Sequence, residues 1–426
     1  MIESLLAALQ VPELRKRIVF TLGMFAVFVL GAHIPVPGVD HKALDAYFGS
    51  SNGLLGLVDV FSGGALRRMS LFAMGITPYI NASIIMQMLT FAVPQLEQMS
   101  KEGEAGRKRI AKITRHLTIV IAFFSAIGIT LGFRVATNVA PVNLVQMWIT
   151  LTAGTCFLLW IGEQITEKGI GNGVSLVIFA GIMTSLPFQI GLVAASVNSN
   201  LVSVPQVMLL IALFVGTILG VVYVTQGQRK IPIQHAKRMV GLRQSGGGQS
   251  FLPIKVNTAG VIPIIFAVSF MMFPSQIMNV FPGSTGFVGR VKDFTKLLIP
   301  GNSIYATIFY VLLIVIFTFF YTTVIMNVKE MADNLKKHGN FIPGIRQGTP
   351  TFEYLDKVIS RITLAGAFFL AAIALTQYIA PALTGVTSFS LVGGTSLLIV
   401  VGVAIETMQA IEAQLIMRNY EGFIKQ

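Results

Sequence analysis

The feature that most constrains this sequence is the spacing of its charged residues, which leaves long stretches without any. The stretch from 169 to 228 contains no Asp, Glu, Lys or Arg, and only 12% of the 426 residues are charged. Soluble domains carry roughly 25% charged residues. A helix that crosses a bilayer needs about 20 mostly apolar residues. The sequence therefore predicts an all-α polytopic membrane protein.

Charge-free runs place ten membrane spans. The two longest runs, 169–228 and 362–405, are each long enough for two spans. We expect the first to be interrupted around Pro187, Asn198, Asn200 and Pro205, and the second around Pro381 and Gly385. The predicted spans are 18–34, 71–94, 117–133, 144–162, 172–192, 206–226, 258–281, 303–327, 362–380 and 391–412.

The distribution of Lys and Arg predicts the orientation. Ten spans place both termini on one side, and 24 of the 31 Lys and Arg residues lie in the segments on that side. Cytoplasmic segments carry the excess of positive charge. Both termini are therefore predicted to be cytoplasmic. Arg15-Lys16-Arg17 before the first apolar run resembles the start of a signal peptide, but no small-residue cleavage pattern follows, so we expect a retained first span.

No motif for catalysis, a metal or a cofactor is found. The single cysteine, Cys156, excludes an internal disulfide, and the five histidines have no ligand spacing. The glycine-rich GIGNG at 169–173 joins two spans. We expect it to form a tight turn in which Asn172 caps span 5, instead of a phosphate-binding loop.

Two predicted cytoplasmic loops, 227–257 and 328–360, are far longer than the 2–8 residues usual between packed helices. The first alternates polar and apolar residues around IPIQHAKRMVGL, which predicts a β-hairpin with Gly246-Gly247-Gly248 at its tip. The second combines a short helix, KEMADNLKKHG, with a turn, FIPGIRQGTP, that presents Arg346. These basic loops either lie against anionic lipid or dock a large partner with an acidic or RNA surface.

A short amphipathic stretch precedes span 2. Residues 57–69 predict a helix of about a dozen residues, too short to span, with Asp59 near one end and Arg67 and Arg68 at the other. Ser62-Gly63-Gly64 weakens it, since each glycine costs roughly 1 kcal/mol relative to Ala. From the residues alone, an interfacial helix on the outer leaflet and a helix seated inside the protein remain equally open.

Several long motifs resemble the SecY family of bacterial protein-translocation channels. They are GITPYINASIIMQML (75–89), IGEQITEKGIGNGVSLVIFAGI (161–182), RKIPIQHAKR (229–238), GGGQSFLPIKVNTAGVIPIIFA (246–267), MADNLKKHGNFIPGIR (331–346) and GGTSLLIV (393–400). The resemblance implies two inverted halves of five helices, 1–195 and 196–426, around a central pore. It also implies a hinge near 190–205 and a short plug helix at about 57–69.

The resemblance assigns roles to particular residues, all of which are expectations here. The implied pore ring is Ile76, Ile80, Val174, Ile178, Ile265 and Ile399. The implied plug contains Leu57, Phe61, Ser62, Gly63, Gly64, Ala65, Leu66 and Arg67. The implied lateral gate, between spans 2–3 and 7–8, contains Asn81, Gln87, Ser269, Phe273 and Ile277. The implied partner-binding residues are Arg346, Arg243, Arg238, Lys237, Lys336 and Lys337.

The resemblance implies a channel of the cell membrane, without enzymatic activity, that conducts unfolded secretory chains and releases hydrophobic segments sideways. The implied partners are the SecE and SecG subunits, the SecA ATPase, ribosomes, signal sequences, nascent polypeptides and membrane lipids. Two other classes are weighed against it. A secondary transporter needs an ionisable group at mid-membrane, which is not evident. An insertase or scaffold without a pore needs neither a plug nor an apolar ring.

Overall fold

The computed structural model describes residues 8–40, 44, 59–132, 140–235, 238–240, 243–245, 249–280, 303–386 and 394–424. The helices are α1 (Pro12–His33), α2 (Thr77–Ala92), α3 (Pro94–Lys101), α4 (Glu104–Gly132), α5 (Pro141–Lys168), α6 (Gly173–Asn198), α7 (Val204–Gln226), α8 (Ile262–Val280), α9 (Ile304–Ile325), α10 (Val328–Lys337), α11 (Thr349–Thr384) and α12 (Gly394–Ile424). The strands are β1 (Gln228–His235), β2 (Arg238–Val240), β3 (Arg243–Ser245), β4 (Gln249–Lys255) and β5 (Asn340–Phe341).

Ten of these helices correspond to the ten predicted spans. Within the described ranges, seven helical segments are long and apolar enough to cross a membrane: α4, α5, α6, α7, α9 taken together with α10, α11 and α12. The other three spans are α1 with 22 residues, α2 with 16 and α8 with 19. The prediction of an all-α polytopic membrane protein is confirmed.

Several predicted boundaries were wrong. Residues 71–76 form consecutive turns, so span 2 begins as a helix only at Thr77. Pro187 and Pro381 lie inside α6 and α11 and interrupt neither helix. Proline is tolerated in membrane helices because neighbouring groups satisfy the freed backbone. The second long run is interrupted at Gly385 instead, whose left-handed backbone (φ 69°) ends α11.

The helices pack as two groups that meet along two seams. In the first group, α4 packs on α2 and α5, and α1 and α6 pack on α5. In the second group, α9 packs on α8 and α11, and α7 and α12 pack on α11. On one side α8 contacts α4 and α2, and on the other α12 contacts α6. The connector between α6 and α7 is short. A capping box formed by Ser203 and Gln206 lies at the start of α7. The boundary of the halves at 195/196 stays a prediction.

The two long loops share a three-stranded sheet in the order β4-β1-β5, and within the described residues β2 and β3 form a separate two-stranded ladder. Strand β1 pairs antiparallel with β4, so the predicted hairpin is confirmed. The chain reverses between β2 and β3, where Val240 pairs with Arg243, and therefore not at Gly246–Gly248, which lies outside the described residues. Strand β5 from the second loop pairs with the free edge of β1, matching Gln234 with Phe341. The predicted short helix in the second loop is α10, and Gly339 (φ 68°) follows it.

Candidate functional site

The six residues proposed for an apolar ring meet in one hydrophobic cluster. Ile76, Ile178 and Ile399 are buried in it. The other three are partly buried and pack against the same cluster: Ile80, Val174 and Ile265. The residues come from α2, α6, α8 and α12, so both groups of helices contribute. The structure therefore brings together side chains that are up to 323 positions apart in the sequence, from Ile76 to Ile399.

Local structure positions two of these six residues through one helix cap. The Asn172 side chain accepts hydrogen bonds from the backbone N–H groups of Val174 (3.1 Å) and Ser175 (3.4 Å) and so begins α6. The predicted Asn172 cap is confirmed. Val174 lies in the first turn of α6 and Ile178 follows one turn later, so both face the same side. An asparagine cap satisfies N–H groups that would otherwise be unpaired at a helix start.

The plug segment, defined here as residues 59–70, is compact but mostly not helical. Residues 59–61 form a single helical turn and tight turns follow. Leu57 lies outside the described residues. Gly63 and Gly64 have positive φ values of 73° and 77°, which a regular helix excludes. The prediction of a helix through residue 69 was therefore wrong for most of its length, because the two glycines direct the chain into turns.

Hydrogen bonds inside the plug segment replace those of a helix. The Asp59 carboxylate accepts from the backbone N–H of Arg67 at 2.8 Å, and the Ser62 hydroxyl donates to the Asp59 carbonyl at 2.9 Å. The Ser62 oxygen in turn accepts from the N–H of Leu66 at 3.2 Å. Burial raises the pKa of the Asp59 carboxyl, and the Arg67 N–H and the nearby guanidinium groups oppose that rise. The segment is thus a self-contained unit held around Asp59 and Ser62.

The plug segment packs on α6, against the hydrophobic cluster that contains the six residues proposed for a ring. Val60 and Ala65 are buried in the same cluster as the ring residues, and Phe61 packs against it. At Gly181, a Cβ atom would clash with the Phe61 carbonyl oxygen and would lie 3.3 Å from the backbone nitrogen of Gly63. A glycine is therefore required for this close backbone approach. The Arg67 guanidinium carbon lies 5.1 Å from the centroid of the Phe188 ring, also on α6.

Five residues were proposed for a lateral gate along the seam of α2 and α4 with α8 and α9. Asn81 on α2 and Ser269 on α8 are both buried. The Gln87 amide nitrogen donates to the Ser83 hydroxyl at 3.4 Å, and its buried oxygen has no hydrogen-bond partner. Phe273 and Ile277 belong to α8, but their side chains lie outside the described residues. The structure thus places Asn81, Gln87 and Ser269 on helices that meet at this seam.

Sequence reasoning missed two contacts across the same seam. The rings of Phe91 on α2 and Phe320 on α9 have centroids 5.4 Å apart. Ile84 on α2 packs against the hydrophobic cluster of the second group of helices. No sequence signal distinguishes these apolar residues from others that face lipid or core. Gly181 was also missed, although a glycine inside a helix is a known sign of close approach.

The sheet holds the proposed docking loop in place. Ile342 is buried beneath the sheet with Ile231 and Ile254, and Ile345 packs on the same cluster. Arg346 is exposed, and its carbonyl accepts from the Thr351 hydroxyl at 2.8 Å. The turn prediction for this loop is therefore confirmed, since it is fixed on both sides of Arg346.

Of the other residues proposed for partner binding, only some lie within the described part of the chain. Lys336 and Lys337 are exposed at the end of α10. Arg238 and Arg243 lie on the small β2–β3 ladder, with side chains outside the described residues. Lys237 lies outside them entirely. In the described part of the chain, no cluster of His, Cys, Asp or Glu has the arrangement of a metal site.

Comparisons with known proteins agree with this architecture. The family model described as SecY matches residues 70–408. The protein translocase subunit SecY of Streptomyces coelicolor is 43% identical over 443 residues, covering 100% of both chains. A solved structure of a protein conducting channel has a TM-score of 0.68 at 19% identity and covers 94% of this chain and 92% of its own. Sec61 in a canine ribosome-channel complex has a TM-score of 0.64 at 16% identity, covering 94% and 92%. This chain belongs to the SecY family.

Proposed function

We propose that this chain is the channel subunit of a protein translocon, which conducts unfolded secretory polypeptides across the membrane. One observation carries the proposal: Ile76, Ile80, Val174, Ile178, Ile265 and Ile399 meet in one apolar cluster, and the plug segment packs on that cluster. Membership of the SecY family supports the same function, and so does the similarity of the fold to a solved protein conducting channel.

The chemistry of the cluster suits a seal that yields to a polypeptide. Branched apolar side chains exclude water from a narrow constriction and so block ions. They make no specific hydrogen bonds, so chains of any sequence can pass. In the proposed closed state the plug segment rests on α6 beside this constriction, held by Gly181 and by the Arg67–Phe188 contact.

The seam of α2 and α4 with α8 and α9 is proposed as the lateral gate for signal sequences and spanning segments. Buried polar groups such as Asn81, Ser269 and the unpartnered Gln87 oxygen lower the cost of parting the helices, because parting exposes them to water. The Phe91–Phe320 contact opposes opening at the end of the seam.

The sheet and the exposed Arg346 are proposed as the docking platform for a motor ATPase or a ribosome. The second loop is rigid because β5 and the Ile342 cluster fix it to the first loop. A force applied to either loop therefore acts on α7, α8, α9 and α11 together. The positive-charge excess supports cytoplasmic termini and loops. SecE and SecG subunits are proposed as partners in the membrane, and the channel itself is proposed to catalyse no reaction.

The ring proposal is tested by replacing Ile76 and Ile265 with asparagine in a complex reconstituted into proteoliposomes. Polar side chains should wet the constriction and raise resting ion flux, while ATP-driven translocation of a precursor protein persists. The matched control replaces Ile316 with asparagine, because Ile316 is 51% exposed on the outer surface of α9. If channels with asparagine at positions 76 and 265 conduct no more ions than the Ile316→Asn control, the cluster is ordinary helix packing. The ring proposal then fails.

A further inference from the structure

We propose that a groove between the base of the β1–β4 hairpin and α11 binds the phosphate group of an anionic phospholipid. The groove has a volume of about 460 Å³ and is lined by residues of β1 and α11 and by Val256, which directly follows β4. Three of its side chains are cationic: Arg229, Lys357 and Arg361. This inference does not depend on the proposed transport function.

The depth of the groove matches the lipid headgroup layer. Arg229 is the third residue after α7 ends at Gln226. Arg361 immediately precedes the apolar run that starts at Ile362, the predicted membrane part of α11. Two spanning segments thus enter the bilayer at the level of these guanidinium groups. Lys357 lies one helical turn before Arg361 on α11, so the two cations share a face.

The lining of the groove has a polar part and an apolar part, as the binding of an amphiphilic lipid requires. The cations and the Tyr354 hydroxyl can donate hydrogen bonds to phosphate oxygens. Val256 and Ile362 supply apolar surface beside them. Asp and Glu are missing from the described residues that line the groove, so no carboxylate shares the lining with the three cations. The three cations are exposed, which leaves them accessible to a ligand.

Basic residues that only determine the orientation of the spans in the membrane would not need to line a concave site. Here the hairpin base and α11 enclose a volume larger than one phosphate group, with donors converging from two separate elements. A phospholipid fits better than a soluble anion because the apolar side of the groove faces the bilayer end of α11, where Leu364 and Phe368 are exposed. An acidic protein segment would leave that apolar side without a partner.

The test compares phospholipid binding to the purified full chain in detergent by native mass spectrometry. The triple variant Arg229→Gln, Lys357→Gln, Arg361→Gln should bind phosphatidylglycerol at least tenfold more weakly, since each cation near an anionic surface contributes roughly fivefold. Phosphatidylcholine binding should not change. The matched control removes three exposed cations at the ends of α4 and α5 with the same substitution: Arg107, Lys112 and Lys168.

Three outcomes would overturn the proposal. Equal phosphatidylglycerol affinity in the triple variant and its control would show that charge alone attracts the lipid. Displacement of the lipid by millimolar inorganic phosphate would assign the groove to a free anion. A photo-cross-linker replacing Tyr354 in membranes that yields a protein adduct and no lipid adduct would assign it to an acidic segment of a partner.

Discussion

A single methyl group at Gly181 should unseat the plug segment without touching the ring. The Cβ of an alanine there would overlap the Phe61 carbonyl oxygen, about 1 Å inside the normal van der Waals distance, and would lie 3.3 Å from the nitrogen of Gly63. Carbon and oxygen normally approach no closer than about 3.3 Å, so the plug backbone would have to retreat by roughly 1 Å. Both clashing atoms are backbone, which cannot rotate away as a side chain can.

The size of the effect follows from the cost of overpacking. Adding a methyl group to a tightly packed site costs about 1–3 kcal/mol. If that cost falls on the seated state alone, the equilibrium shifts toward the unseated plug by roughly 5- to 150-fold. Resting ion conductance of Gly181→Ala channels in planar bilayers should rise accordingly. Precursor translocation should persist, because Ile178 and the other ring residues are unchanged.

Gly191→Ala provides the matched control. Gly191 lies on the same helix, and a Cβ there meets nothing within 4 Å. Both variants gain the same helix propensity, so a difference between them reports the plug contact alone. If Gly181→Ala channels conduct no more than Gly191→Ala channels, with equal amounts of folded complex in the membrane, the plug segment does not hold the seal in the way proposed.

Two further predictions concern docking and the seam. Arg346→Glu should reduce motor- or ribosome-coupled transport about tenfold while the complex stays folded. Lys329→Glu makes the same charge change at another exposed residue of the loop and should not reduce transport. Equal transport by the two variants would contradict the docking role of Arg346. In a Cys156→Ser background, cysteines at Phe91 and Phe320 joined by a short reversible thiol reagent should block insertion of hydrophobic segments until reductant is added, because the ring centroids lie 5.4 Å apart. Insertion that continues despite complete cross-linking would show that this seam does not open.

The helices could be predicted from the sequence because each depends on a local property. Charge-free runs gave all ten spans, and the Asn172 cap and the β1–β4 hairpin follow from short-range patterns. The ends of helices were less predictable. Pro187 and Pro381 remain helical because their neighbours in the membrane compensate for the missing hydrogen bonds, which no local pattern reveals.

Contacts between distant segments could not be predicted from local patterns. Strand β5 is only two residues long and is defined by pairing with β1, not by its own sequence. The turn conformation of the plug segment depends on Gly63 and Gly64, whose φ values are positive, and the close approach of Gly63 to Gly181 on α6 joins segments more than 100 residues apart. The six ring positions came from family resemblance, since an isoleucine in a span has no pattern that separates pore from packing.

In the proposed channel, the seal and the lateral gate share one moving part. The chain runs from the plug segment through the turns at 71–76 directly into α2, and Ile76 stands at the start of that helix. Ile80 follows one turn later, and Ile84 and Phe91 further along α2 contact the opposite group of helices. A movement of α2 that parts the seam must therefore displace the ring and pull on the plug segment. Lateral opening and loss of the seal are then coupled by covalent continuity, so a gate locked shut should also hold the plug in place.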